Sequence, residues 1–177
     1  LVGQQNMQNV LAACAMALAS GVGFPRLREG VRSFSALPHR MQRVPTADGV
    51  NWINDSKATN EAAAAASIRS TSDPLILIAG GDAKGADFSA LAEPLSRHVR
   101  LAVLIGRDAG RIAAVARGTV DVVHAGSMAD AVATAHAHAR PGDSVLLAPA
   151  CASFDMFANY EARGDAFAAE VRRVVAP

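Results

Sequence analysis

Three near-continuous apolar runs, PLILIAGG (74–81), RLAVLIG (100–106) and DSVLLAPA (143–150), constrain this chain most. A strand that is apolar at almost every position has to be covered on both faces, as in a parallel sheet with helices above and below it. A shorter strand, VDVVHA (120–125), and stretches with helical spacing alternate with these runs. The expected fold is therefore an α/β, doubly wound domain with a mostly parallel sheet.

The remaining elements fit around that frame. QRVPTADGVNWIND (42–55) reads as a hairpin turning at ADG. Helices are expected over Ala58–Arg69, over DFSALAEPLSRHV (87–99) despite Pro94, and over residues 108–117. Two more follow, in SMADAVATAHAHA (127–139) with Ser127 as N-cap and in DAFAAEVRRVV (165–175). Upstream, residues 5–20 form a helix of small apolar residues that stops at Gly21 and Gly23. FPRLREGVRSF (24–34) forms another, with Pro25 in its first turn. Two helices bury little alone, so residues 1 to about 35 read as the tail of something larger. The sequence also opens at LVGQQN, without Met, as part of a longer chain would.

Composition narrows the function. The 177 residues are 51% hydrophobic and 19% charged with a net charge of +1, which describes a globular domain and points to no nucleic-acid partner. The longest apolar run, Val10–Ala19, is too short to span a bilayer, and no signal peptide is visible. Cys14 and Cys151 are expected as reduced thiols, Cys151 buried. His136 and His138 stand two apart on a helix and do not share a face, so they do not suggest a metal site. His98 and His124 read as surface or strand-edge residues.

In a doubly wound sheet, ligands bind beyond the carboxyl ends of the strands. Three loops there carry unusual polarity: NDSKATN (54–60), GGDAKGADF (80–88) and APACASFDMF (148–157). The second is not a P-loop, because its Lys84 does not follow the last glycine and no hydroxyl comes next. It reads equally as a solvated turn with Asp87 capping the following helix. Ser153 reads either as an N-cap or as part of an anion site formed with the N–H groups behind it.

LPHRMQRV, GVNWINDSKATNEAA, GGDAKGADFSAL and LLAPACASFDMFANYEARGDAF together resemble the Mur ligases of peptidoglycan synthesis, and within them the D-glutamate-adding branch. The resemblance runs through essentially the whole chain. NDSKATN and ACASFD are specific to that branch, whereas LPHR and the N-x-x-N start are shared more widely. The resemblance implies that residues 1–35 are the last helices of a central ATPase domain. Residues 36–177 would then be the C-terminal Rossmann-like domain that brings the amino acid.

The implied activity is an ATP-dependent, amide-bond-forming addition of D-glutamate to UDP-N-acetylmuramoyl-L-alanine through an acyl phosphate. Mg2+ would take part with its ligands mainly upstream, and no metal ligand is assigned here. This stretch lacks G-x-x-G-K-[ST], so alone it is expected to be inactive. The setting implied is cytoplasmic and the protein a monomer, with no membrane partner. An isolated non-catalytic ligand-binding domain and a folylpolyglutamate-synthetase-like ligase are the rival readings.

Matched residue by residue, the resemblance places Asn6 and Asn9 near the adenine of ATP, with Gln5 where the family usually has His. Arg40 would reach the phosphates, supported by His39, and Asp55 the ribose hydroxyls. Lys57 would add charge near nucleotide or acyl phosphate, so Arg40, Lys57 and His39 form the catalytic set. Thr59 and Lys84 would hold the α-carboxylate of D-glutamate. Ser153 and the N–H groups of Phe154 and Tyr160 would hold its side-chain carboxylate. Tyr160 stands where Phe is common, and Ala148 where Ser is usual.

Overall fold

The computed structural model describes residues 4–34, 37–71 and 74–175, and the side chains of residues 4–6 lie outside that description. A six-stranded sheet runs in the order β1-β2-β6-β3-β4-β5. Its strands are β1 (Gln42–Val44), β2 (Asn51–Asn54), β3 (Leu75–Gly80), β4 (Val99–Ile105), β5 (Asp121–His124) and β6 (Ser144–Leu147). Only β1 is antiparallel to its neighbour, closing the expected hairpin with β2. The other pairings are parallel.

The pleat divides each apolar run between two cores, as the period-two geometry of a strand requires. In β3, Leu75, Leu77 and Ala79 face one layer while Ile76 and Ile78 face the other. The first layer is supplied by α3 (Glu61–Arg69), α4 (Ala92–His98) and α5 (Ala109–Ala116). The second comes from α6 (Met128–His138) and α7 (Tyr160–Val175), with Trp52 packed beside Phe167. Helices on both faces of a mostly parallel sheet give the Rossmann-like α/β arrangement.

Local chemistry explains the boundaries. Asp48 holds the hairpin turn by accepting from the Thr46 hydroxyl, the Val50 N–H and the Trp52 indole N–H. Ser127 caps α6 by accepting from the Asp130 N–H. The helix expected from Ala58 begins only at Glu61, because extended Asn60 caps it by accepting from the Ala63 N–H. Such a cap is worth about 1 kcal/mol. The expected 87–99 helix is a 3-10 turn, Ser89–Leu91, followed by α4. Pro94 is third in α4, where its missing N–H breaks no helical bond. Asp87 caps no helix but accepts from the Ser89 hydroxyl. The closing helix begins at Tyr160, five residues before the expected Asp165.

Upstream, α1 (Gln4–Ala19) and α2 (Phe24–Ser33) lie apart from the sheet and expose Met7, Leu11, Met16 and Phe24. A groove of about 560 Å³ runs between them and reaches Arg40. Among the described residues, no helix is long and apolar enough to cross a membrane.

Candidate functional site

The strand order β2-β6-β3 sets the three polar loops side by side at the carboxyl end of the sheet. Backbone bonds lock them together. Asp55 N–H donates to Leu147 O at 2.9 Å, Ala150 N–H to Ala58 O at 2.9 Å and Gly80 N–H to Pro149 O at 2.8 Å. Asp82 and Ala152 exchange a pair of such bonds. Gly81 permits this approach: its φ is +134°, and a Cβ there would sit 2.3 Å from Ala152 O.

Two lysines overlie this surface. Lys84 has φ +47° and its N–H donates to Asp82 Oδ1, which turns the chain so that its ammonium stands 5.0 Å from the Phe154 ring centre. Lys57 Nζ stands 4.0 Å from the centre of the Tyr160 ring. Ser153 is only 3% exposed, and its hydroxyl has no partner among the described residues. Its carbonyl accepts from Met156 and Phe157 instead, and α7 starts seven residues later, so the N-cap alternative for Ser153 does not hold. The N–H groups of Phe154 and Tyr160 and the Thr59 hydroxyl also have no partner among the described residues. These groups leave donors and cations grouped at adjacent loops, the chemistry of an anion site.

The junction residues are held from below. His39, 8% exposed at φ +60°, accepts the Lys57 N–H at its carbonyl and donates its own N–H to Gln42. Its ring Nδ1 lies 3.2 Å from Asn54 Nδ2, its Nε2 3.7 Å from Asp165, and its plane stands nearly perpendicular to the Tyr160 ring, 6.2 Å between centres. Asp55 is buried, with its oxygens taken by the Met41 N–H at 3.1 Å and by the Ser67 hydroxyl. Burial raises its carboxyl above the usual range and outweighs those two bonds and the Arg40 charge. Arg40 and Asn9 are exposed and line the same groove between α1 and α2. Asn6 lies outside the described side chains.

Cys14 and Cys151 are both free thiols. Burial pushes Cys151 up to about 12, which leaves it a protonated core residue and no nucleophile. Among the described residues, no three His, Cys, Asp or Glu side chains gather as a metal site would require.

Sequence reasoning missed two residues that carry this geometry. Asn54, fully buried, donates to Gly164 O at 2.9 Å and accepts from the Ser56 N–H at 3.1 Å. Arg163, 1% exposed, reaches Ser56 and Cys151 from α7. Its signal was available, since Arg163, Phe167 and Val171 recur at the helical period on one face.

A family model described as "Mur ligase, glutamate ligase domain" matches residues 39–151. The chain belongs to that family. The Mur ligase match spans all of β1 to β6 and the three loops up to Cys151. The chain is 50% identical over 170 residues to the UDP-N-acetylmuramoylalanine–D-glutamate ligase of Marinobacter nauticus, covering 94% of this chain and 38% of that protein. It is 48% identical over 174 residues to the ligase of the same name from Legionella pneumophila, covering 96% of this chain and 39% of the relative. The chain thus spans under two fifths of the length of these relatives. The UDP-N-acetylmuramate-alanine ligase of Thermotoga maritima superposes with a TM-score of 0.72 at 11% identity, over 98% of this chain and 39% of that one. A folylpolyglutamate synthase of Mycobacterium tuberculosis gives 0.70 at 17% identity, over 100% of this chain and 41% of its own. Both structures share the fold.

Proposed function

We propose that this chain is the amino-acid-binding C-terminal region of an ATP-dependent ligase that joins D-glutamate to UDP-N-acetylmuramoyl-L-alanine, a step of peptidoglycan precursor synthesis in the cytoplasm. The observation that carries this reading is the set of unpaired donors on adjacent loops: the Ser153 hydroxyl and the Phe154 and Tyr160 N–H groups, beside Lys84. A dicarboxylate needs two anion subsites, and two loops supply them. In this assignment Thr59 and Lys84 hold the α-carboxylate, and Ser153, Phe154 and Tyr160 the side-chain carboxylate. The relatives named for this reaction, at 48–50% identity, support the choice of amino acid.

Residues 1–35 belong, in this reading, to the preceding ATPase domain. The exposed apolar residues of α1 and α2 suit a surface covered by the rest of that domain. Asn6, Asn9 and Arg40 approach ATP from this side. Asp55 first fixes the Met41 N–H, and only its remaining lone pairs serve the ribose. Arg40, Lys57 and His39 form the set that serves the reacting phosphates, with Lys57 released from the Tyr160 ring. Mg2+ accompanies ATP with its ligands elsewhere in the protein, and no step here runs through it. The chemistry this region performs is positioning and charge neutralisation.

The test is phosphate release by the full-length protein with ATP, UDP-N-acetylmuramoyl-L-alanine and either glutamate enantiomer. Ligation should depend on D-glutamate, L-glutamate should compete poorly, and the 177-residue chain alone should turn over nothing. Preference for L-glutamate, or turnover by this region alone, refutes the reading.

A further inference from the structure

Arg163 is the most deeply buried charged residue of the described chain, at 1% exposure. Its guanidinium bonds only neutral oxygens. Nε donates to Ser56 Oγ at 3.0 Å, Nη2 to Ser56 O at 2.9 Å and Nη1 to Cys151 O at 3.1 Å. Among the described residues, no carboxylate lies within ion-pair reach of it. Asp155 acts on it only from a distance, with Oδ2 bound to the Arg107 N–H and Oδ1 buried without a donor. Desolvation lowers the Arg163 pKa to about 10, so the group is still charged at neutral pH.

A buried guanidinium facing only carbonyls and a hydroxyl is costly to a fold, because nothing repays its lost hydration in full. A neutral donor would avoid that penalty but could not reach all three oxygens at once. What arginine adds is charge and reach. Its fork touches the loop after β2 at Ser56 and the loop after β6 at Cys151, two residues before Ser153. It also lies against the loop after β3, since a Cβ on Gly81 would come 3.4 Å from Nη1. Ser56 Oγ in turn donates to Tyr160 O at 2.7 Å, which ties the same cluster to the start of α7.

We propose that Arg163 is the positioning residue of the amino-acid site, fastening two of its loops together against the third and lending the Ser153 end the positive charge that an incoming carboxylate neutralises. The inference rests on the function proposed above. It adds a buried source of positive charge behind the neutral donors at Ser153, Phe154 and Tyr160, whereas Lys84, assigned to the α-carboxylate, stands on the Phe154 ring in front of them.

The experiment is steady-state kinetics of the full-length enzyme carrying Arg163→Met or Arg163→Lys, with thermal unfolding measured alongside. Wild-type turnover with D-glutamate is measured first, and its absence defeats the proposed function rather than this inference. Given that turnover, Arg163→Met should raise KM for D-glutamate about tenfold or more, with KM for ATP and the UDP substrate within about twofold. Arg163→Lys keeps the charge but not the fork, so it should recover part of the loss. A folded Arg163→Met enzyme with unchanged KM for D-glutamate overturns the proposal, as does an equal rise in all three KM values. If Arg163→Met does not accumulate folded, Arg163→Lys decides: a KM increase of about threefold confined to D-glutamate supports it, and an unchanged KM overturns it.

Discussion

Gly164→Ala sets two known effects against each other at one position. Gly164 lies in the body of α7, where alanine is ordinarily the better residue by about 1 kcal/mol. Here the added Cβ would fall 2.2 Å from His39 Nδ1 and 3.0 Å from the ring carbons Cγ and Cε1. The clash falls on the Nδ1 corner of a buried ring, with both neighbouring ring carbons close behind it, so the imidazole as a whole has to move. The ring is buried and faces Asn54 Nδ2 at 3.2 Å, while Asn54 also donates to the Gly164 carbonyl. Shifting the ring therefore disturbs the junction between residues 37–41 and α7. A 2.2 Å approach to a buried ring places this overpacking at the upper end of its usual cost, about 2–3 kcal/mol, which exceeds the propensity gain of about 1 kcal/mol. The expected net loss is about 1–2 kcal/mol, read as a lower urea midpoint at unchanged slope. A double-mutant cycle isolates the cause: with His39→Ala the ring is gone, and Gly164→Ala should become neutral or stabilising. A Gly164→Ala chain as stable as the parent, or the same loss in both backgrounds, refutes the packing argument.

Two further substitutions probe the site directly. Lys84→Ala in the full-length enzyme should raise KM for D-glutamate by about tenfold or more while UDP-substrate binding stays near normal, and unchanged D-glutamate kinetics would remove Lys84 from the carboxylate. Asp55→Asn tests the buried carboxylate through pH. Burial raises the folded pKa of Asp55, so its ionised form penalises the fold above that pKa, and the penalty fades as pH falls towards the unfolded value of 3.8. The Tm of Asp55→Asn relative to the parent should therefore be most favourable at neutral pH and decline on acidification, and a difference that grows towards acid would contradict the assignment.

The sheet was legible because its information is local. Leu75–Gly80 and Ser144–Leu147 are buried throughout, and an apolar run between helices states that condition without any knowledge of partners. The start of α7 was not, because Gly164 reads locally as a helix breaker. Its place in the helix is set by His39, a residue far away in sequence whose ring needs the space. Arg163 was missed for a related reason. A charge on an apolar face is normally solvent-facing, and only the Ser56 and Cys151 oxygens, brought in by the fold, make its burial possible. For Asp55 the sequence shows a polar residue at a strand end, but not Met41 and Ser67, which take its oxygens.

Strain in this chain has a location. Among the described residues, the non-glycines with positive φ are His39, Met41, Lys84, Phe88 and Ala150, in the junction or in the loops after β3 and β6. Each such conformation costs on the order of 1 kcal/mol, so it persists only where neighbours enforce it. The enforcing bonds are identifiable. Asp55 holds the Met41 N–H, Lys57 donates to the His39 carbonyl, Asp82 holds the Lys84 N–H, and Ala150 donates to Ala58 O. The loops are thus shaped by contacts inside the protein before any ligand arrives. A substrate that meets preorganised loops loses less of its interaction energy to ordering them. On the function proposed above, Asp82→Ala, which frees the Lys84 N–H, should accordingly raise KM for D-glutamate although Asp82 itself is assigned no ligand contact.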